Sequence, residues 1–127
     1  MNPGVVIKDA IGDLVGGRVY ANTFPQENAS PTWPAVRFTV ITETNFPDQC
    51  GSDDTATDDV SVQIDVVAQT YDAMRTLKAN VITRMSTATT PSVRQPGGGE
   101  VFDQATKTHR AILEYLLQPS SAADSPA

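Results

Sequence analysis

Few residues in this sequence are of types that do chemistry, and their neighbours decide what each can do. His109 is the one histidine and Cys50 the one cysteine. A histidine acts as a general base or metal ligand only through partners, and no nucleophile, second histidine or opposed carboxylate pair stands at a spacing that supplies them. His109 therefore reads as a structural or solvent-facing residue. Cys50 lies in Pro47-Asp-Gln-Cys-Gly51, a turn whose acidic surroundings disfavour the reactive thiolate. The run Asp53-Asp-Thr-Ala-Thr-Asp-Asp59 gathers the oxygens that calcium takes, but it lacks the alternating Asp or Asn positions, central Gly and closing Glu of an EF-hand loop. It reads as a solvated acidic loop. Gly97-Gly-Gly99 is no phosphate cradle, since no strand leads into it, no Lys-Ser/Thr follows, and Glu100 would repel a phosphate. Asn28-Ala-Ser30 matches a glycosylation acceptor, which is inert without secretion. The expectation is a protein with no catalytic residues, no cofactor and no metal.

Composition sets the remaining bounds. A chain of 127 residues makes one domain that buries about two-thirds of its unfolded surface. A single cysteine excludes an internal disulfide and suggests a reducing cytosol. No apolar run approaches a membrane span and the N-terminus lacks a signal pattern, so a soluble, unprocessed chain is expected. The net charge of −6 argues against general nucleic-acid affinity. Its distribution is more telling: Glu43, Asp48, Asp53, Asp54, Asp58 and Asp59 fall in one stretch without a Lys or Arg, while the rest of the chain holds nine acids and nine bases.

The elements that position these residues follow from hydrophobic period. Val60, Val62, Ile64, Val66 and Ala68 alternate with Ser61, Gln63, Asp65 and Gln69, the pattern of a strand with one dry and one wet face. Met74, Leu77, Val81 and Met85 then recur at helical spacing, with Thr70 as N-cap and Asp72 in the first turn. This strand and helix form the core unit. Before it, residues 5–15 place Ile7, Ile11, Leu14 and Val15 on one side of a first helix that Gly16-Gly17 stops. Residues 18–21 are a short β-prone piece, and the prolines between 24 and 34 make an extended arm. Residues 35–44 alternate and pair with the 60–68 strand as a long-looped hairpin. After the second helix, residues 86–99 show no apolar period, so they read as a mobile or only locally ordered loop, like residues 45–59. Residues 100–103 are a candidate short strand. Ala111, Leu113, Tyr115 and Leu117 alternate in a closing strand that Pro119 ends; Ile112, Tyr115 and Leu116 also have the spacing of a short helix, but closing the sheet needs a strand partner, and residues 118–127 are a flexible tail. The fold class is α+β: two helices on one face of an antiparallel, or mixed, β-sheet, in a single domain spanning 1–117.

The order of certain phrases carries a resemblance. Leu14-Val-Gly-Gly-Arg-Val-Tyr20, Pro25-Gln26, Trp33-Pro-Ala-Val-Arg37, Val62-Gln-Ile-Asp-Val66 with Ala68-Gln-Thr-Tyr71 opening a helix, and a last strand from His109-Arg110 together resemble the tail completion, or tail terminator, proteins of long-tailed bacteriophages, the lambda minor tail protein U-like group. The resemblance covers about residues 5–117. The acidic stretch from 43 to 60 and the tail after Leu117 depart from it. It implies an α/β sandwich and a structural virion protein at the tail–head junction, assembled in the host cytoplasm. It also implies a ring, usually a hexamer, that caps the head-proximal end of the tail tube, stops addition of the major tail tube protein and offers a docking surface to the head–tail connector protein.

Several expectations attach to that role. A ring of head-to-tail contacts needs two different complementary patches, and the wet-face residues Arg37, Gln63 and Asp65 are candidates for their polar parts. Loops 45–59 and 86–99 would order against the tube or connector. The carboxylates of Asp48, Asp53, Asp54, Asp58 and Asp59 would face the channel or a partner and repel DNA, which passes through without specific binding. The alternatives are another neck component between head and tail, or a small ligand-binding or enzymatic α+β domain, which would need a concave pocket with convergent polar groups.

Overall fold

The computed structural model describes residues 2–23, 32–44 and 59–118. Its elements are α1 (Pro3–Ile11), a 3-10 turn (Gly12–Val15), β1 (Val19–Ala21), β2 (Ala35–Thr44), β3 (Asp59–Ala68), α2 (Tyr71–Ser86), β4 (Ser92–Arg94), β5 (Gly99–Asp103) and β6 (Thr108–Leu117). This is the expected α+β class, and every alternating segment is a strand.

Both helices lie on one face of the sheet. Val60, Val62, Ile64 and Val66 of β3 and Ala111, Leu113, Tyr115 and Leu117 of β6 meet Ile7 and Ile11 of α1 and Met74, Leu77, Val81 and Met85 of α2 in one core. Thr70 caps α2 as expected, its Oγ1 accepting from the Ala73 N–H at 3.1 Å. Asn2 caps α1, accepting from the Gly4 N–H at 2.9 Å. The first helix is shorter than its apolar spacing predicts, since the chain tightens to a 3-10 turn at Gly12 before the left-handed Gly16 (φ 60°) ends it.

The sheet order is β1-β2-β3-β6, with β4 and β5 sharing the outer side of β6. β1 pairs β2 in parallel and the remaining pairs are antiparallel, so the sheet is mixed. Residues 86–99 differ from the loop expected there: they contain β4, whose Ser92 and Arg94 lie opposite Leu117 and Tyr115. No apolar period marks β4, because three residues of pairing are set by the backbone that β6 exposes and not by β4's own pattern. Between β4 and β5, residues 95–98 stand opposite only two residues of β6, since Arg94 pairs Tyr115 and Gly99 pairs Ile112. The outer strand is thus one edge broken by a wide bulge. Gly98 (φ 85°) makes the bulge possible, because a Cβ there would stand 2.1 Å from the Ile112 carbonyl oxygen.

The opposite face is not uniformly wet. Val67 and Ala35 are fully buried on it, packed with Tyr20 and Trp33. The apolar triplet Val66-Val67-Ala68 carries this signal, since Val67 falls on the polar phase of the alternation.

Candidate functional site

The three wet-face candidates come together. Arg37 lies opposite Asp65 in the β2–β3 ladder, and its Nε donates to Asp65 Oδ2 at 2.9 Å while a second guanidinium nitrogen contacts the same oxygen. Gln63 Nε2 donates to Asp65 Oδ1 at 2.9 Å. Asp65 is 1% exposed. Its carboxylate is therefore held inside the chain by two neighbours, and Arg37 and Gln63 are the members of the set that reach the surface. Strand alternation placed all three on one face; only the cross-strand register reveals that they bind one another.

A second cluster was not foreseen. Glu100 of β5 accepts from Arg75 Nη1 at 2.6 Å and Lys78 Nζ at 3.2 Å, both on α2, and from the Tyr71 hydroxyl at 3.2 Å. The Arg75 hydrogen bond, then that of Lys78, pulls the Glu100 pKa from 4.5 down to about 2. His109 lies beside it, its ring centroid 4.9 Å from that of Phe102 and 5.8 Å from that of Tyr71. Tyr71, Met74, Glu100, Val101, Phe102 and His109 line a shallow recess of about 220 Å³. A carboxylate held this firmly ionised is a poor general base near neutral pH, and His109 packs its ring against those of Tyr71 and Phe102. The recess is suited to contact, with half-exposed aromatics rimmed by charge. It joins residues of α2 to residues 100–109, two stretches distant in the chain, so no local motif announced it.

At the other end of α2, Arg84 Nη1 donates to Asp13 Oδ1 at 2.7 Å, and this bond lowers the Asp13 pKa. A groove of about 400 Å³ lined by Val5, Val6, Asp9, Ala10, Arg84 and Thr87 runs alongside. It holds no arrangement of nucleophile and base. Among the described residues no group of three or more His, Cys, Asp or Glu could hold a metal ion. No described helix is long and apolar enough to cross a membrane.

The acidic candidates divide. Asp59 is the first residue of β3, opposite Thr44, and so belongs to the strand. Asp48, Asp53, Asp54 and Asp58 lie outside the described residues, as does Cys50.

Among the described residues the sheet has two unlike edges, and no assembled catalytic group accompanies them. The sequence model of the family described as tail completion protein gp17 matches residues 7–117. The chain belongs to that family. Nothing among curated proteins matches it. Membership makes it a structural protein of the bacteriophage tail and a virion component, in accord with the family resemblance carried by Leu14–Tyr20, Trp33–Arg37 and Val62–Val66. The matched span begins within α1 and ends on the last residue of β6.

Proposed function

We propose that this protein forms a ring, a hexamer, on the head-proximal end of the phage tail tube, where it stops addition of the tube protein and presents the docking surface for the head–tail connector. The observation that carries this reading is the family match across residues 7–117. A surface built for contact supports it: the half-exposed Tyr71 and Phe102 beside the Glu100 ion-pair cluster form a recess better suited to a protein partner than to a reaction. The protein acts by shape and self-association, without catalysis or cofactor. Arg37 and Gln63 contribute polar contacts, held in place by the buried Asp65. The acidic stretch that includes Asp48, Asp53, Asp54, Asp58 and Asp59 faces the channel, where carboxylates repel phosphates and let the genome slide past without binding.

Two measurements test this. Mass in solution, with and without assembled tail tubes, followed by electron microscopy of the tube ends, should show a closed ring at one end of each tube. Tubes that stop at a defined length without the protein, or protein bound along the tube wall, would count against it. Changing Asp53, Asp54, Asp58 and Asp59 to Asn should leave rings intact and slow DNA exit; normal infectivity of that variant removes the channel assignment.

A further inference from the structure

Six of the large apolar residues exposed at the surface sit at or beside the two edges of the sheet. Val40 (37% exposed) and Ile41 (47%) lie on β2, while Val93 (46%), Val101 (50%) and Phe102 (47%) lie on β4 and β5, with Tyr71 (48%) adjoining them. β1 covers β2 only from Val36 to Phe38, and among the described residues no strand pairs the outer side of β2 beyond that point. The outer side of β4 likewise has no described strand partner. Each edge therefore offers backbone donors and acceptors together with apolar side chains, a combination that ordinarily recruits another strand.

The registers show how the edges match. Val40 pairs Val62, Val62 pairs Tyr115, and Tyr115 pairs Arg94; Thr42 leads in the same way through Ser61 and Leu116 to Val93. The free part of β2 and the whole of β4 thus stand at the same height on opposite sides of the sheet. Their directions also suit each other. β2 runs antiparallel to β3, β3 to β6, and β6 to β4, so β4 runs opposite to β2. A second copy laid beside the first would bring β4 against β2 in the antiparallel sense that hydrogen bonds best. Charge agrees as well. Arg94 is exposed on β4, and the free part of β2, from Thr39 to Thr44, carries the acid Glu43 and no cation.

We propose that these edges are the two halves of one head-to-tail contact between copies of this chain, with Val40 and Ile41 of one copy meeting Val93 and Arg94 of the next. Unlike halves on opposite sides generate a ring or an open chain, never a closed pair. The inference rests on the ring reading above and assigns its interface.

The test uses the full chain, followed by sedimentation alone and with tail tubes. Ile41→Glu and Val93→Glu should each weaken self-association at least ~tenfold while leaving the circular-dichroism spectrum unchanged, because both residues are exposed. Arg94→Glu should weaken it in the same direction, and serves where an edge variant fails to fold. An equimolar mixture of the two Glu variants retains one intact contact and should stop at a dimer. The double variant Ile41→Lys with Val93→Glu should recover assembly. Val5→Glu, on the exposed side of α1, should assemble normally. Edge variants that assemble as well as the wild type overturn the interface and leave the ring reading standing; wild-type chain that never forms a closed ring, alone or on tubes, overturns both.

Discussion

Val66 and Val67 are neighbours on β3 and both are fully buried, yet they are buried by different means. Val66 faces the helices, in a core where strand and helix contribute apolar side chains in regular alternation. Val67 faces the other way, into a small cluster with Ala35, Trp33 and Tyr20, and next to it the surface turns polar at Arg37, Gln63 and Asp65. The helix face supplies bulk hydrophobic stabilisation that is tolerant of detail. The second face supplies specificity. A one-residue slip between β2 and β3 would turn Arg37 and Asp65 to opposite sides and leave a buried carboxylate alone.

This contrast can be broken most forcefully at the ion pair. Asp65→Leu removes the carboxylate that two guanidinium nitrogens of Arg37 contact and should cost about 2–3 kcal/mol by denaturant titration, less than the ~3–5 kcal/mol typical of fully buried pairs because Arg37 keeps 22% of its side chain exposed. Adding Arg37→Met should return most of that loss. If the double variant is as unstable as the single one, the charge pair is not what the second face depends on.

A finer comparison sets Val66→Ala beside Val67→Ala. Each removes two methyl equivalents from a fully buried site, so each should cost roughly 1.5 kcal/mol in the same titration. A much smaller loss at Val67 would mean that its cluster closes less tightly than the helical core. The smallest effect belongs to the ion-pair cluster where β5 meets α2. Glu100 has a folded pKa depressed from 4.5 to about 2, so its contribution is complete above pH 4.5 and is lost as pH falls through about 2. Glu100→Gln should therefore flatten the fall in melting temperature across that window, with little change in stability slope at neutral pH. An unchanged acid profile would detach the cluster from folding.

Much of the architecture was legible because burial on β3 and β6 obeys period two and α2 obeys its own stripe, so Ile64, Leu113 and Leu77 could be placed from spacing alone. Val67 was harder to place, since an apolar residue on the polar phase looks incidental until Trp33 and Tyr20 are brought over it. Asp65 read as a surface residue for a similar reason: its burial depends on a guanidinium 28 positions away. β4 left no local trace, and the grouping of Tyr71, Glu100, Phe102 and His109 exists only once β5 has folded beside α2. Local pattern reports what a segment does alone, while these features belong to pairs of segments.

The bulge at Gly98 limits what a sheet border can do. With the Ile112 carbonyl occupying the place of a side chain, the border is cut into lengths of three and five residues. A fibril grows by laying one straight, continuous strand on another. The three residues of β4 are enough for one short contact between copies and too few for the continuous stacking a fibril requires.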